Sequence, residues 1–281
     1  FISTVVFFAI VCTKQCHTKS NLLICNICLA SFTHSANSLI VSFYGFREDW
    51  AANQPLCTFR AYIFFCSCGI CSHSYISEAL SRLFLTVYYQ HKYLVTYKVY
   101  WCMIVANWTI PTLLLVVPLF FSDTYIYEVE SRLCTFSTKN FWMATYMAMS
   151  AFMIPFNLSI IIYSIIINYA RSSGRVTAIS THSASSRMLN LRRELKVARN
   201  MLILTIAYAS GGIPYFVLLF WNKIPTTTPP SESLYLLSII GVVFAVPAKV
   251  IIIFFTNKQV RDTCIAYLRC RRGRIGVMTN K

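Results

Sequence analysis

Seven apolar blocks, most of them as long as a bilayer is thick, constrain this sequence more than any other feature. They lie at about 1–12, 22–44, 57–88, 99–121, 141–169, 197–221 and 234–255. An α-helix rises about 1.5 Å per residue, so roughly 20 apolar residues cross a hydrocarbon core of about 30 Å. The runs are continuous, whereas a barrel strand alternates apolar and polar over about ten residues, so the blocks predict helices. Composition agrees: 57% of the residues are hydrophobic and 12% charged, against about a quarter charged in average soluble chains. The first block covers only about 18 Å and opens on Phe1-Ile2-Ser3 without an initiator Met. It is expected to be the inner part of a helix whose outer half precedes this fragment. No basic leader or small-residue cleavage site marks it as a signal peptide.

The net charge of +16 admits either nucleic acid or anionic lipid as a partner, and the placement of the charges chooses. Loops after the odd-numbered spans, together with the tail, hold 18 of the 25 Lys and Arg, while the opposite loops hold 4. By the positive-inside rule the richer side is cytoplasmic and the N-terminus extracellular. A basic inner surface suits the anionic leaflet and gives no reason to invoke nucleic acid. Arg60, Glu78, Arg82 and Lys249 stand inside spans, where charges are costly and usually functional or paired.

Topology alone does not separate receptor, transporter and scaffold; the spacings say more. Trp50 precedes Cys57 by seven residues, and Arg82 follows Cys57 by 25. Trp108 precedes Pro118 by ten, Pro155 precedes Tyr163 by eight, and Glu194 precedes Pro214 by twenty. Over nearly the whole chain these intervals resemble the rhodopsin-like (class A) G-protein-coupled receptors. The resemblance implies an all-α membrane protein, a seven-transmembrane helix bundle over 1–255, followed by a short cytoplasmic amphipathic helix eight and basic tail over 256–281. It implies a plasma-membrane receptor and not an enzyme, with no cofactor. Its partners would be an extracellular ligand and a heterotrimeric G protein.

Residue by residue, Cys57 resembles the third-helix cysteine that bridges to the second extracellular loop, whose sole cysteine here is Cys134. Arg82 resembles the arginine of the Asp-Arg-Tyr signature and Glu194 its sixth-helix acidic partner. Such a pair has two arrangements, as a switch requires. Pro155 and Tyr163 resemble the fifth-helix pair that bulges the helix and steadies the active arginine, and Pro214 the sixth-helix hinge.

Departures from the family pattern are numerous. The signature triplet is Ser81-Arg82-Leu83, Ser31 stands at the sodium-binding aspartate, and Gly212 at the toggle tryptophan. The Asn-Pro-x-x-Tyr motif is intact in neither register of the seventh span, whether Pro247 or Lys249-Val250 is aligned with it. Glu78 and Lys249 are expected at similar depth and to pair, standing in for the missing Asp and Asn; a Glu78–Arg82 bond at i, i+4 is the alternative.

For the ligand pocket the resemblance points to Phe64, Phe65, Cys68, Tyr215, Phe216 and Tyr235, an aromatic lining with few ions that suits a peptide or a lipid, and a peptide is the ligand expected. Phe64 at the amine-binding aspartate disfavours biogenic amines, and no lysine occupies the retinal-attachment position. Cys25-x-x-Cys28 and Cys66-x-Cys68-x-x-Cys71 lie mid-membrane without paired His and read as small hydrophobes, so no metal is expected. His34 and His73 are expected to be satisfied within the bundle. Cys264 and Cys270 flank the basic segment after the last span and are candidates for palmitoylation. A receptor fold that no longer signals, a decoy or scaffold, is the competing reading; a transporter would show inverted repeats and broken helices.

Overall fold

A computed structural model describes residues 2–12, 19–46, 54–122, 124–128, 133–137, 140–177, 184–223, 232–256 and 261, with some side chains inside these helices outside the description. Its helices follow the apolar blocks in order. They are α1 (Ile2–Cys12), α2 (Lys19–Gly45), α3 (Gln54–Thr86), α4 (Tyr97–Val116), α5 (Phe141–Ala148 and Ile154–Thr177 around a π-helical turn at Met149–Met153), α6 (Ala184–Lys223) and α7 (Glu232–Thr256). Short 3₁₀ turns, Lys92–Val95 and Val117–Phe120, flank α4.

By length and composition alone, three helices among the described residues could cross a membrane: Asn21–Gly45, Tyr97–Phe120 and Phe141–Ser172. The third helix has the length, since 33 residues reach about 50 Å, but its polar residues dilute it. Ser67, Ser72, His73, Ser74, Ser77 and Glu78 are all buried. A helix so polar survives in lipid only if its neighbours enclose it, and α3 packs against α2, α4, α5 and α6. Buried hydroxyls satisfy themselves on the carbonyl four residues back, as Ser38 does on His34, Ser72 on Cys68, Ser159 on Pro155 and Thr205 on Met201. Such bonds leave no donor facing hydrocarbon.

Two elements depart from expectation. The sixth helix begins at Ala184, not near 197, so Arg187, Arg192, Arg193, Glu194 and Lys196 belong to a helix and not to a loop. Its strong helix formers carry α6 beyond the apolar block. Between α4 and α5 an antiparallel hairpin forms, β1 (Tyr125–Glu128) with β2 (Leu133–Phe136), pairing Tyr125 with Phe136 and Tyr127 with Cys134. An all-helical expectation did not include it. Tyr125, Cys134, Thr135 and Phe136 are all buried, and β1 and β2 pack on α3. Of the tail expected to form helix eight, only Arg261 is described, and it is helical.

Candidate functional site

The first cluster lies at the end of the bundle that holds the disulfide. Cys57, in the first turn of α3, is bonded to Cys134 of β2, with Cα atoms 5.2 Å apart. The link lays the hairpin across α3, where Thr58 Oγ1 donates to the Tyr125 carbonyl at 3.3 Å. Beneath it the rings interlock edge to face: Tyr125 on Phe136 at 5.4 Å, Phe136 on Phe65 at 6.1 Å, and Phe65 on Phe64 at 5.4 Å. The Tyr125 hydroxyl donates to the Leu115 carbonyl at 3.2 Å. Burial pushes this phenol well above its ordinary range, and the neighbouring Cys66, Tyr62 and Tyr215 add to the effect.

The expected pocket residues are therefore only partly brought together. Phe64, Phe65 and Cys68 are buried on α3, Tyr215 lies within electrostatic range of Tyr125, and Tyr235 is buried near the start of α7. Phe216 is half-buried against the core and meets the Tyr215 ring at 6.5 Å. One residue on from Tyr215 and so turned by about 100°, it lines an open apolar groove of about 650 Å³ between α5 and α6, with Met153, Ile213 and Trp221. Tyr125 and Phe136 take a place in the interior that the sequence reading left out. Their signal was the Tyr125-x-Tyr127 and Cys134-x-Phe136 alternation.

Two further polar groups lie at this end, the in-span charge Arg60 and His34, which was expected to be satisfied. Arg60, one turn below Cys57, is 8% exposed. Its guanidinium lies 4.0 Å from the Tyr44 ring centroid, and Nη2 donates to Cys134 Sγ at 3.5 Å. His34 is only half satisfied: Nδ1 bonds Ser67 Oγ at 3.1 Å, while Nε2 is buried without a partner. His73 behaves as expected, bonding the Gly69 carbonyl at 2.9 Å.

The second cluster surrounds Arg82 at the opposite end. Tyr163 of α5 is 1% exposed and lies within electrostatic range of both Glu78 and Arg82. Glu78 is buried, and its Oε2 has no hydrogen-bond partner among the described residues. Tyr163 reaches this place from a helix that is irregular immediately before Pro155, where the π-turn Met149–Met153 inserts an extra residue. Ser81, which replaces the family's acidic neighbour of the arginine, shares a 3.0 Å hydrogen bond with the buried Tyr100 hydroxyl of α4. The side chains of Glu194 and Lys249 lie outside the described residues, as do Cys264 and Cys270. Pro214 sits within a continuous α6. Gly212, two residues earlier, has nothing within 4 Å of the place a Cβ would take, so the toggle position is open space.

A third contact knits the helices between the clusters: Trp108 Nε1 donates to Asn26 Oδ1 at 2.8 Å, joining α4 to α2.

Comparison with known proteins agrees with this geometry. A family model described as 7 transmembrane receptor (rhodopsin family) matches residues 3–251. Among solved structures the chain is similar to squid rhodopsin, with a TM-score of 0.78 at 14% identity over 93% of this chain and 79% of that one. At that identity the likeness is one of fold. No curated sequence matches. Helices that run as a multi-pass membrane bundle, a hairpin tied to the third by a disulfide, and the family match together place the chain: it is a member of the rhodopsin family of seven-transmembrane receptors.

Proposed function

We propose that this receptor transduces binding of an extracellular peptide to a heterotrimeric G protein, with its N-terminus outside and its basic tail in the cytoplasm. The observation that carries the reading is the Arg82 cluster, where a buried tyrosine of α5 lies within electrostatic range of a carboxylate and a guanidinium of α3. A charge network joining two helices has discrete arrangements, and a ligand that shifts α5 or α6 biases them. Lys and Arg concentrated at that end supply a surface for the G protein and for anionic lipid. At the other end, the interlocked rings under the hairpin suit the apolar side chains of a peptide.

Two observations favour the competing reading, a receptor fold that does not signal. Ser81, at the place of the acidic neighbour of Arg82, is bonded to Tyr100, and the toggle position is vacant at Gly212. Nucleotide exchange on a panel of G proteins separates the two. The full-length receptor is expected to accelerate exchange and Arg82→Ala to lose at least tenfold of that acceleration; equal rates for both would assign the chain to the non-signalling class.

A further inference from the structure

The charge that the switch does not use is Arg60. Its environment at the disulfide end is unusual for a guanidinium. One face is stacked on Tyr44 of α2, Nη2 is spent on a sulfur of the disulfide, and Nη1 is buried with no hydrogen-bond partner among the described residues. None of these contacts neutralises the charge: a ring face and a disulfide sulfur are weak acceptors, and a buried cation with no counterion among the described residues is costly. The neighbouring face of α2 repeats the pattern. Residues 34, 37, 41 and 44 fall at helical spacing on one face, with His34 against Phe64 and Ser67, and Tyr44 against Arg60. Asn37, between those two levels, also has a buried side-chain donor, Nδ2, without a partner. Two unspent donors, one of them charged, thus lie between α2 and α3 beneath the hairpin.

We infer that Arg60 is a recognition site for a carboxylate of the extracellular ligand. Resting on the peptide reading above, the inference assigns the peptide an acidic group seated between α2 and α3, with its apolar side chains against Phe64 and Phe65. A carboxylate oxygen would accept from the unspent Nη1 of Arg60 in a charge-assisted hydrogen bond. Its charge would offset the buried cation, so the energy withheld in the empty receptor is returned on binding.

The test uses the full chain in lipid nanodiscs and reads thermal unfolding. Without any ligand, Arg60→Met, of similar length but neutral, should raise the midpoint by about 3 °C. A fall would show that Arg60 is already paired within the protein, for example by Glu48 or Asp49 of the adjoining loop, and would overturn the inference. Three matched probes then read recognition: acetyl-Phe-Leu-Phe with a free C-terminus, the same peptide amidated, and amidated acetyl-Phe-Asp-Phe. A higher midpoint with the first identifies a C-terminal carboxylate, with the third a side-chain carboxylate. The neutral amide should leave the midpoint unchanged, and Arg60→Gln should abolish the shifts. Equal stabilisation by acid and amide, or shifts that persist in Arg60→Gln, would overturn the proposal. Oleate separates it from the peptide reading: if oleate alone stabilises the receptor, and only with Arg60 intact, the carboxylate site stands and the peptide falls. If no acid probe acts, the carboxylate site falls, while the exchange assay on Arg82→Ala still decides the signalling reading.

Discussion

At the residue scale, two glycines at the centre of α6 and α7 sit in opposite circumstances. A Cβ at Gly241 would meet the Gly211 carbonyl oxygen at 2.5 Å, a contact with backbone that no side-chain rotation relieves. Gly241→Ala must therefore part α6 from α7, and a loss of about 1–3 kcal/mol is expected in nanodisc unfolding. Gly212 has open space, so Gly212→Ala removes only the flexibility of glycine in a helix and should gain up to about 1 kcal/mol. Equal effects of the two substitutions would show that α6 and α7 do not pack through this pair. Neither outcome was legible in the sequence, which marks Gly212 only as the toggle position and does not single out Gly241. The distinction lies in which helix face meets a neighbour.

At the element scale, the hairpin is held by one covalent link and a set of rings. Cys57 and Cys134 are 77 residues apart, so removing the link frees a long loop, and Cys134→Ser should cost about 2–4 kcal/mol. An unchanged unfolding midpoint would mean that Tyr125 and Phe136 hold the hairpin without it. The cysteine pairing could be carried over from the family resemblance because it needs only two thiols at the right ends of known elements. The strands could not be seen the same way: four residues each, they are too short to stand out beside helical runs of twenty. What makes them strands is the surface of α3 beneath them. The same holds for the α5 irregularity. Pro155 announces a missing backbone donor, but the π-turn that precedes it becomes visible only in three dimensions.

At the scale of the whole molecule, the question is how the Arg82 end responds to the disulfide end. If Glu194 restrains Arg82, Glu194→Ala should raise ligand-independent nucleotide exchange several-fold; an unchanged basal rate would mean that the restraint lies elsewhere, with Tyr163 or Glu78. If Glu78 pairs with Lys249, the single reversals Glu78→Lys and Lys249→Glu should each depress surface expression and the double reversal restore it. Absence of rescue would leave Glu78 to Arg82 and Tyr163. Both tests bear on a switch that departs from the family's pattern at Ser81, Ser31 and Gly212, where substituted residues have found other roles: Ser81 bonds Tyr100, and Ser31 is simply buried.

By itself, the sequence determined that the chain crosses a membrane, that its spans are helices, that Cys57 has one partner available in its loop, and that Arg82 ends the third span. These follow from local quantities: run length against bilayer thickness, the sign of flanking charge, and residue spacing along one chain. Tertiary structure alone decided which side chains share a space. It put Tyr125 and Phe136 over Phe65, gave Phe216 a share in a groove beside α5, brought Tyr163 within electrostatic range of Glu78 and Arg82, and left Arg60 buried beside a ring and a sulfur. The reason is geometric. In lipid every helix is apolar on its outer face whatever its neighbours, so hydropathy fixes depth, while rotation about the helix axis is set by packing against helices distant in sequence.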